Sequence, residues 1–457
     1  MQHIDIREIY ENQELINNNV TVCGWVRTAR DSKNVAFIEM NDGTSLKHLQ
    51  IVVDKSTGIE YDAAVLKIGS SLKVEGKLVP SDRNLVEVNA EKITLLGASP
   101  ADYPLQKKGC SREFLRTMPH LRLRTNLFNA VFRIRSVMAA SIHEYFQGKN
   151  FVYVNPPLIT ASDCEGAGEM FRVTTLDYDQ KFETMEEYGA NDFFGKRAGL
   201  SVSAQLEGET AAMAMGKIYT FGPSFRAENS NTPKHLAEFW HVEPEVAFAE
   251  LPDVMALAEE MVKSVIGAVL KKCPKEMEFL DKFVENGLID RLNKLISEDF
   301  GVVTYTEAIE ILKKADVKFE YPVEWGCDLQ TEHERYLSEK VFKKAVFVTN
   351  YPKEIKSFYM KQNDDGKTVA AVDLLAPGVG EIIGGSEREA DMDKLLKAMT
   401  DRGMNLDLYS DYIDLRKFGS APHGGFGLGF ERLIMYVTGI ENIRDVVLYP
   451  RTVNNIR

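Results

Sequence analysis

The stretch Phe225–Glu245, FRAENSNTPKHLAEFWHVEPE, packs charged and aromatic residues more densely than a solvated face requires, and the rest of the chain is read outward from it. Arg226 and Glu228 alternate with Phe225 and Ala227, the two-residue period of a strand with one polar face. Asn229–Pro233 break that period with turn chemistry, since Asn and Ser bond their own backbone and Pro cannot join a ladder. The return leg carries Glu238, Trp240, Glu243 and Glu245. Two strands joined by a polar loop bring Arg226, Lys234 and His235 near Phe239, offering cations to a polyphosphate and a ring to a base without a Gly-rich cradle. An exposed hairpin tied by surface salt bridges fits this stretch alone as well.

A second segment separates the two readings. HGGFGLGFERLIMYVTG (His423–Gly439) is a Gly-punctuated strand running into an amphipathic helix, with Glu431 and Arg432 at the junction. Gly in a strand marks close approach of a backbone or ligand, and an arginine there reaches phosphate from rigid support. Together the segments resemble motifs 2 and 3 of the class II aminoacyl-tRNA synthetases. Their details, NTPKHLAEFWHVEPE and GFGLGFERLIMYVTGIENIRDVVLYPRT, look like the asparaginyl members of the aspartyl/asparaginyl/lysyl subgroup, and the resemblance spans essentially the whole chain.

Composition sets outer limits. A chain of 457 residues with 44% hydrophobic content buries a large core and suggests two or three domains. No apolar run approaches the roughly 18 residues of a membrane span, and MQHIDIREIY lacks the basic and apolar blocks of a secretory signal. Cys23, Cys110, Cys164, Cys273 and Cys327 are far apart and never form a CxxC pair, which predicts a reduced, cytoplasmic protein without a zinc site. A net charge of −13 excludes a histone-like, charge-driven nucleic-acid binder but not RNA, whose affinity follows the local field.

Residues 20–96 alternate in short runs (VTVCGWV, NVAFIEM, LQIVVD, SSLKVEGKLV, NLVEVNAEKITLL), predicting five short antiparallel strands. A five-stranded barrel of this size fits an OB-fold, which binds single-stranded nucleic acid through an open aromatic and basic face. Arg27, Arg30 and Lys33 form a basic edge; Phe37 reads equally as barrel core or as a binding aromatic. By resemblance this is an anticodon-binding domain over 1–98, in which Phe37 stacks an anticodon base and Gln50 reads a base edge. Residues 99–125 read as a hinge whose Lys107, Lys108, Arg112, Arg116, Arg122 and Arg124 form a positive surface for tRNA phosphates, or else a solvated linker.

The remainder, 126–457, is expected to be a class II catalytic domain, making the whole α+β: an OB barrel followed by an antiparallel sheet flanked by helices. Leu127, Val131, Ile134, Val137, Met138, Ile142 and Phe146 recur at helical spacing. With the following Asn155-Pro156-Pro157 they look like motif 1, which implies a homodimer. Ile159–Glu169 and Leu200–Thr210 match segments that cover the amino-acid pocket in the family. Residues 250–345 read as a mostly helical insertion without chemistry. AVFVTNYPKEIKSFYMK predicts strand, turn and strand, and TVAAVDLLAPGVGEIIGGSEREAD predicts an apolar strand whose far end brings acids together with a Gly pair, Asp373 and Glu381 flanking a strand turn. Hard carboxylate oxygens near a triphosphate suit Mg²⁺, and by resemblance the matching acids bind it; two acids alone also fit a structural role.

The resemblance implies ATP and asparagine going to asparaginyl-adenylate and pyrophosphate, then transfer to tRNA(Asn). It gives Arg226 the α-phosphate, Phe239 the adenine, and His235 and Arg432 the far phosphates, with Glu228 and Glu381 completing the ATP site. Two departures stand out: Lys234-His235 where many relatives have Arg-His, losing a bidentate fork, and Ala204 where Gly is expected. For the amino acid, an asparagine amide needs a donor and an acceptor where an aspartate needs cations. Gln205 lies in this segment; Glu209 is expected to accept from the amide and Arg388 to donate to its oxygen, with no lysine in Ser203–Glu209. The rival readings are an aspartyl-tRNA synthetase, including one that does not discriminate, a tRNA-independent asparagine-adenylating enzyme, which should lack the barrel, and a catalytically silent RNA-binding relative, which should have lost Arg226 or Arg432, both present here.

Overall fold

The computed structural model describes residues 3–164, 170–177 and 179–456. It divides into two compact units, Met1–Phe132 and Arg133–Arg457.

In the first unit, β1 (Asn19–Asp31), β2 (Val35–Asn41), β3 (Leu49–Asp54), β4 (Ser71–Ser81) and β5 (Leu85–Gly97) close into a barrel in the order β1-β2-β3-β5-β4. Alternation drives it: Ala36, Ile38 and Met40 point into the barrel while Phe37 and Glu39 face out. The strands are not all antiparallel, because an odd ring cannot reverse direction at every step; β3 and β5 form the parallel pair. Gly76 lies at a bulge in β4 where a Cβ would come 2.2 Å from the Asn89 carbonyl oxygen, so only glycine permits the bend. Residues beyond the barrel form the short helices Arg112–Arg116 and Pro119–Arg122 around Leu105, Leu115, Met118 and Phe128. This corrects the expected positive surface at two positions. Arg122 is fully buried over the Phe128 ring, and Arg124 stacks on Trp25 and donates to the Tyr103 hydroxyl, so both guanidinium groups serve packing. Lys107 and Lys108 remain exposed.

The second unit is built on an eight-stranded sheet. Its strands, with those of a small three-stranded sheet, are β6 (Val152–Tyr153), β7 (Ile159–Thr160), β8 (Arg172–Val173), β9 (Ala198–Leu200), β10 (Lys217–Phe225), β11 (Glu238–Ala247), β12 (Gly301–Thr304), β13 (Val346–Pro352), β14 (Thr368–Ala376), β15 (Gly380–Glu387) and β16 (His423–Gly429). The large sheet runs β12-β13-β14-β15-β16-β11-β10-β6, antiparallel from β13 to β10 with a parallel strand on each edge. Helix Asn126–Gly148 buries Ile134, Met138, Ile142 and Phe146, with Phe146 stacked on Tyr219 of β10 at 4.7 Å. Helix Leu251–Lys272 lies on β14–β16, and helix Gln205–Met215 on β10 and β11. The stretch expected to be mostly helical also carries β12, which extends the sheet.

The strand turn expected between Asp373 and Glu381 is present, and it divides the apolar run into two strands. TVAAVDLLAPGVGEIIGGSE is the hairpin β14–β15, turning through Gly378 and Gly380 at φ of 83° and 85°. Both strands are buried on nearly all positions, so no alternation marks where each strand ends. Part of the Ile159–Glu169 loop lies outside the described residues. Among the described residues no helix is long and apolar enough to cross a membrane.

Candidate active site

The β10–β11 hairpin holds the first cluster. Its ladder ends at Phe225 and Glu238, and Arg226 N–H adds one more bond to the Ala237 carbonyl at 3.0 Å. The loop between is longer than its turn residues implied, and it is tied to the C-terminal segment: Ile443 N–H donates to Pro233 O at 2.8 Å and Arg444 Nη2 to Asn231 Oδ1 at 2.6 Å. The Arg226 guanidinium sits 5.5 Å from the Phe239 ring centroid, and Phe239 meets His241 edge-on. Arg432, in the first turn of helix Phe430–Thr438, donates to the Glu381 carbonyl at 3.1 Å. Its neighbour Glu431 turns inward, accepting from Arg135 Nη2 at 2.7 Å and the Trp240 N–H at 2.9 Å. Periodicity placed both at the junction; only packing separates the structural acid from the arginine that lines the cleft. Arg226, Glu228, Lys234, His235, Phe239, Glu381 and Arg432 line one cleft of about 150 Å³. Burial holds the Lys234 ammonium and the His235 imidazolium below their ordinary ranges, and Arg432 pushes both further down. Lys234 donates to the Val379 carbonyl in the β14–β15 turn.

A larger cavity of about 630 Å³ shares Arg226, Glu228, His241, Glu381 and Gly427 with that cleft. Asp373 of β14 and Glu381 of β15 face its wall, and a Cβ on Gly384 would lie 3.2 Å from Glu381 Oε1 and 3.5 Å from Asp373 Oδ1. Glycine there keeps the space beside both acids open. Lys356 Nζ grips Asp373 Oδ2 at 2.7 Å. Glu334, which accepts the Glu381 N–H at 3.2 Å, is pushed up to about 7 by burial and by the charges of Glu381 and Asp373. Its proton is lost near 4.5 in an unfolded chain and kept to about 7 in the fold, so the native protein loses stability as pH rises across that window. In buffer free of divalent cations, Glu334→Gln is therefore expected to raise unfolding free energy by about 2 kcal/mol at pH 8 and by little at pH 5. Equal gains at both pH values would contradict this.

The far end of the cavity carries an ion pair. Arg388 donates Nε to Glu245 Oε2 at 3.2 Å, Nη2 to Glu245 Oε1 at 2.5 Å and Nη1 to Ser386 Oγ at 2.8 Å. Burial and the nearby Glu209 charge push the Glu245 carboxyl up to about 7 against the pull of Arg388. Glu243 behaves oppositely: burial raises it, but His241, the Ser203 hydroxyl and the Ala204 N–H outweigh that and hold it near about 2. Gln205 lines the cavity and donates to Glu209 at 2.9 Å. Glu209 does not line it. This corrects the expected amide acceptor: Glu209 is fully buried one helical turn behind Gln205, held by Arg416 and His423, which lie 207 and 214 residues further along the chain. Glu243 and Glu245 take its place on the wall. Alternation could have found them, since Phe239, His241, Glu243 and Glu245 share one face of β11.

The family model for class II tRNA synthetases (D, K and N) matches residues 111–453, and that for the OB-fold nucleic acid binding domain matches 20–96. An asparagine–tRNA ligase of Acetivibrio thermocellus is 57% identical, covering 98% of this chain and 98% of its own, and one of Clostridium tetani is 56% identical over 99% of each. This chain belongs to the asparagine–tRNA ligase family. The crystal structure of a Pyrococcus horikoshii asparaginyl-tRNA synthetase complexed with asparaginyl-adenylate superposes on this synthetase with a TM-score of 0.87 at 34% identity, covering 100% of this chain and 99% of that one.

The synthetase's barrel places its predicted RNA residues on one outer face. Arg30 pairs with Phe37 across β1 and β2, and Glu39 pairs with Gln50 across β2 and β3. Phe37 is 38% exposed, so it is not barrel core. Gln50 donates to Glu87 and accepts from Asn84, each at 2.9 Å, which fixes its amide on that face.

Proposed function

We infer that this synthetase condenses ATP with asparagine to give asparaginyl-adenylate and pyrophosphate, then transfers the asparaginyl group to the terminal ribose hydroxyl of tRNA(Asn). One observation carries it: the Arg226–Phe239–Arg432 cleft opens onto a cavity that ends in the Arg388–Glu245 pair. Attack of the asparagine carboxylate on the α-phosphorus expels pyrophosphate. It needs in-line placement and neutralisation of spreading charge rather than a protein nucleophile. Arg226 would hold the α-phosphate, Phe239 would stack adenine, and His235 and Arg432 would meet the outer phosphates, with Glu228 and Glu381 at the rim. A neutral His235 donates one hydrogen bond without adding a second full charge beside Arg432.

The acids fit a divalent cation. Asp373 Oδ1 and Glu381 are hard donors beside the gap left by Gly384, and among the described residues no group of three or more His, Cys, Asp or Glu could hold a metal ion alone. Mg²⁺ suits such a site, because it takes one or two carboxylates and fills its shell with phosphate and water. Bound there, it would neutralise charge on the phosphates.

Arg388 and Glu245 with Gln205 and Glu243 would read the side-chain amide. Glu245 already neutralises Arg388, and Glu243 is ionised, so an aspartate carboxylate would meet like charge in a dry site. Pyrophosphate exchange with asparagine and aspartate side by side tests this; efficient aspartate activation would overturn it. On the barrel, Phe37 would stack an anticodon base between Arg30 and Gln50. Phe37→Ala is expected to lower aminoacylation about tenfold and to spare exchange, since base stacking is worth roughly 1–3 kcal/mol. A parallel fall in exchange would assign Phe37 to the fold instead. Val152, Tyr153, Leu158 and Ile159 form an exposed apolar edge around β6, which supports a homodimer through the motif 1 region; we place the enzyme in the cytoplasm.

A further inference from the structure

Behind the amino-acid end of the cavity lies a closed charge cluster that adenylation does not use. Glu209 Oε1 accepts from Gln205 Nε2 at 2.9 Å and from the Tyr412 hydroxyl at 3.0 Å; Oε2 accepts from Arg416 Nη2 at 2.7 Å and meets His423 Nε2 at 2.9 Å. His423 turns Nδ1 to the Ala421 carbonyl at 2.8 Å. Arg416 Nη2 also lies 3.4 Å from His423 Nε2, so the ring and the guanidinium close on the same carboxylate oxygen. Arg416 is itself fixed: Nε donates to the Glu389 carbonyl at 2.9 Å, Nη2 also reaches the Tyr412 hydroxyl at 2.8 Å, and the guanidinium lies 4.1 Å from the Tyr412 ring centroid. Arg388 stands between two buried carboxylates, forked onto Glu245 and with Nε 3.9 Å from Glu209 Oε1. In a dry interior a guanidinium goes to the carboxylate that is less well neutralised, because an uncompensated buried charge dominates the local energy.

We propose that Arg416, held by Tyr412 and acting with His423, is a positioning residue for asparagine selection: by neutralising Glu209 from behind, it leaves Arg388 to Glu245 and so fixes the donor that meets the side-chain amide. The inference rests on the asparagine-adenylating reading above. Without Arg416, Glu209 becomes the hungrier partner, the 3.9 Å gap closes, and Arg388 withdraws from the cavity wall.

Pyrophosphate exchange by the full chain tests it. Arg416→Gln is expected to raise KM for asparagine about 10- to 100-fold while KM for ATP stays within about threefold. The double variant Glu209→Gln/Arg416→Gln removes both charges and is expected to bring KM for asparagine back to within about tenfold of the parent. Tyr412→Phe removes one hydrogen bond and is expected to raise KM for asparagine about three- to tenfold; it decides the matter alone where Arg416→Gln does not fold. A parallel rise in KM for ATP, a double variant as poor as the single one, or an unchanged Tyr412→Phe would each overturn the proposal. The unmodified protein is read first: if it activates aspartate in place of asparagine, the functional reading fails, whereas normal asparagine activation with any of those variant results removes only this inference.

Discussion

Arg226→Ala is expected to cut adenylate formation by about 10²–10³-fold while the protein stays folded, because it removes the cation proposed for the α-phosphate, whose charge-assisted contact would strengthen as the phosphate reorganises. The side chain leaves the end of β10 and is half-buried, with its guanidinium 5.5 Å from the Phe239 centroid. The strand pairing that supports it is made by backbone, Arg226 N–H to Ala237 O, which alanine keeps. Arg432→Ala should lose a comparable factor, since its donor meets Glu381 O at the mouth of the same cleft. Pyrophosphate exchange, with circular dichroism as the check on folding, measures both. Near-normal exchange by a folded Arg226→Ala protein would remove the arginine from the reaction.

The second large effect is expected at the other end of the cavity. Arg388→Met should lower kcat/KM for asparagine by about 10²–10³-fold, because it deletes the donor proposed for the amide and leaves Glu245 as a buried acid without its fork. Glu245 already sits near about 7, so in the variant it should take up a proton and stay neutral at pH 7. Restoration by raising asparagine concentration, with KM for ATP little changed, would place the loss in amino-acid binding. If KM for ATP rises as steeply, Arg388 supports the sheet instead.

These two sites were unequally legible in sequence. The Arg226–Arg432 cleft was readable because its parts are local: a strand alternation ending in Arg226, turn residues after it, and a glycine-rich strand delivering Arg432 onto a helix. Each signal lies within a few residues, where period and turn chemistry act. Phe239, His235, Glu228 and Glu381 then meet in one cleft. The larger cavity was readable only in part. Arg388 and Gln205 line it as expected, yet the acid that faces the cavity with Arg388 is Glu245, while Glu209 lies behind the wall.

The sequence by itself determined the barrel strands, through alternation that buries Ala36, Ile38 and Met40 and leaves Phe37 outside. It also determined the β10–β11 hairpin and the strand-to-helix junction at Gly429–Arg432. Only the tertiary structure decided three things. It set the extent of the two strands on either side of the Asp373–Glu381 turn, because burial on both faces erases the period that would mark them. It turned Arg122 and Arg124 inward, because a cation's partners (Phe128, Trp25, Tyr103) are set by packing and not by the charge count of its segment. It also chose which carboxylate faces the cavity. Glu209 is neutralised by Arg416 and His423 more than 200 positions away, and no local period carries that information; a buried charge finds its partner only when the chain has closed around it.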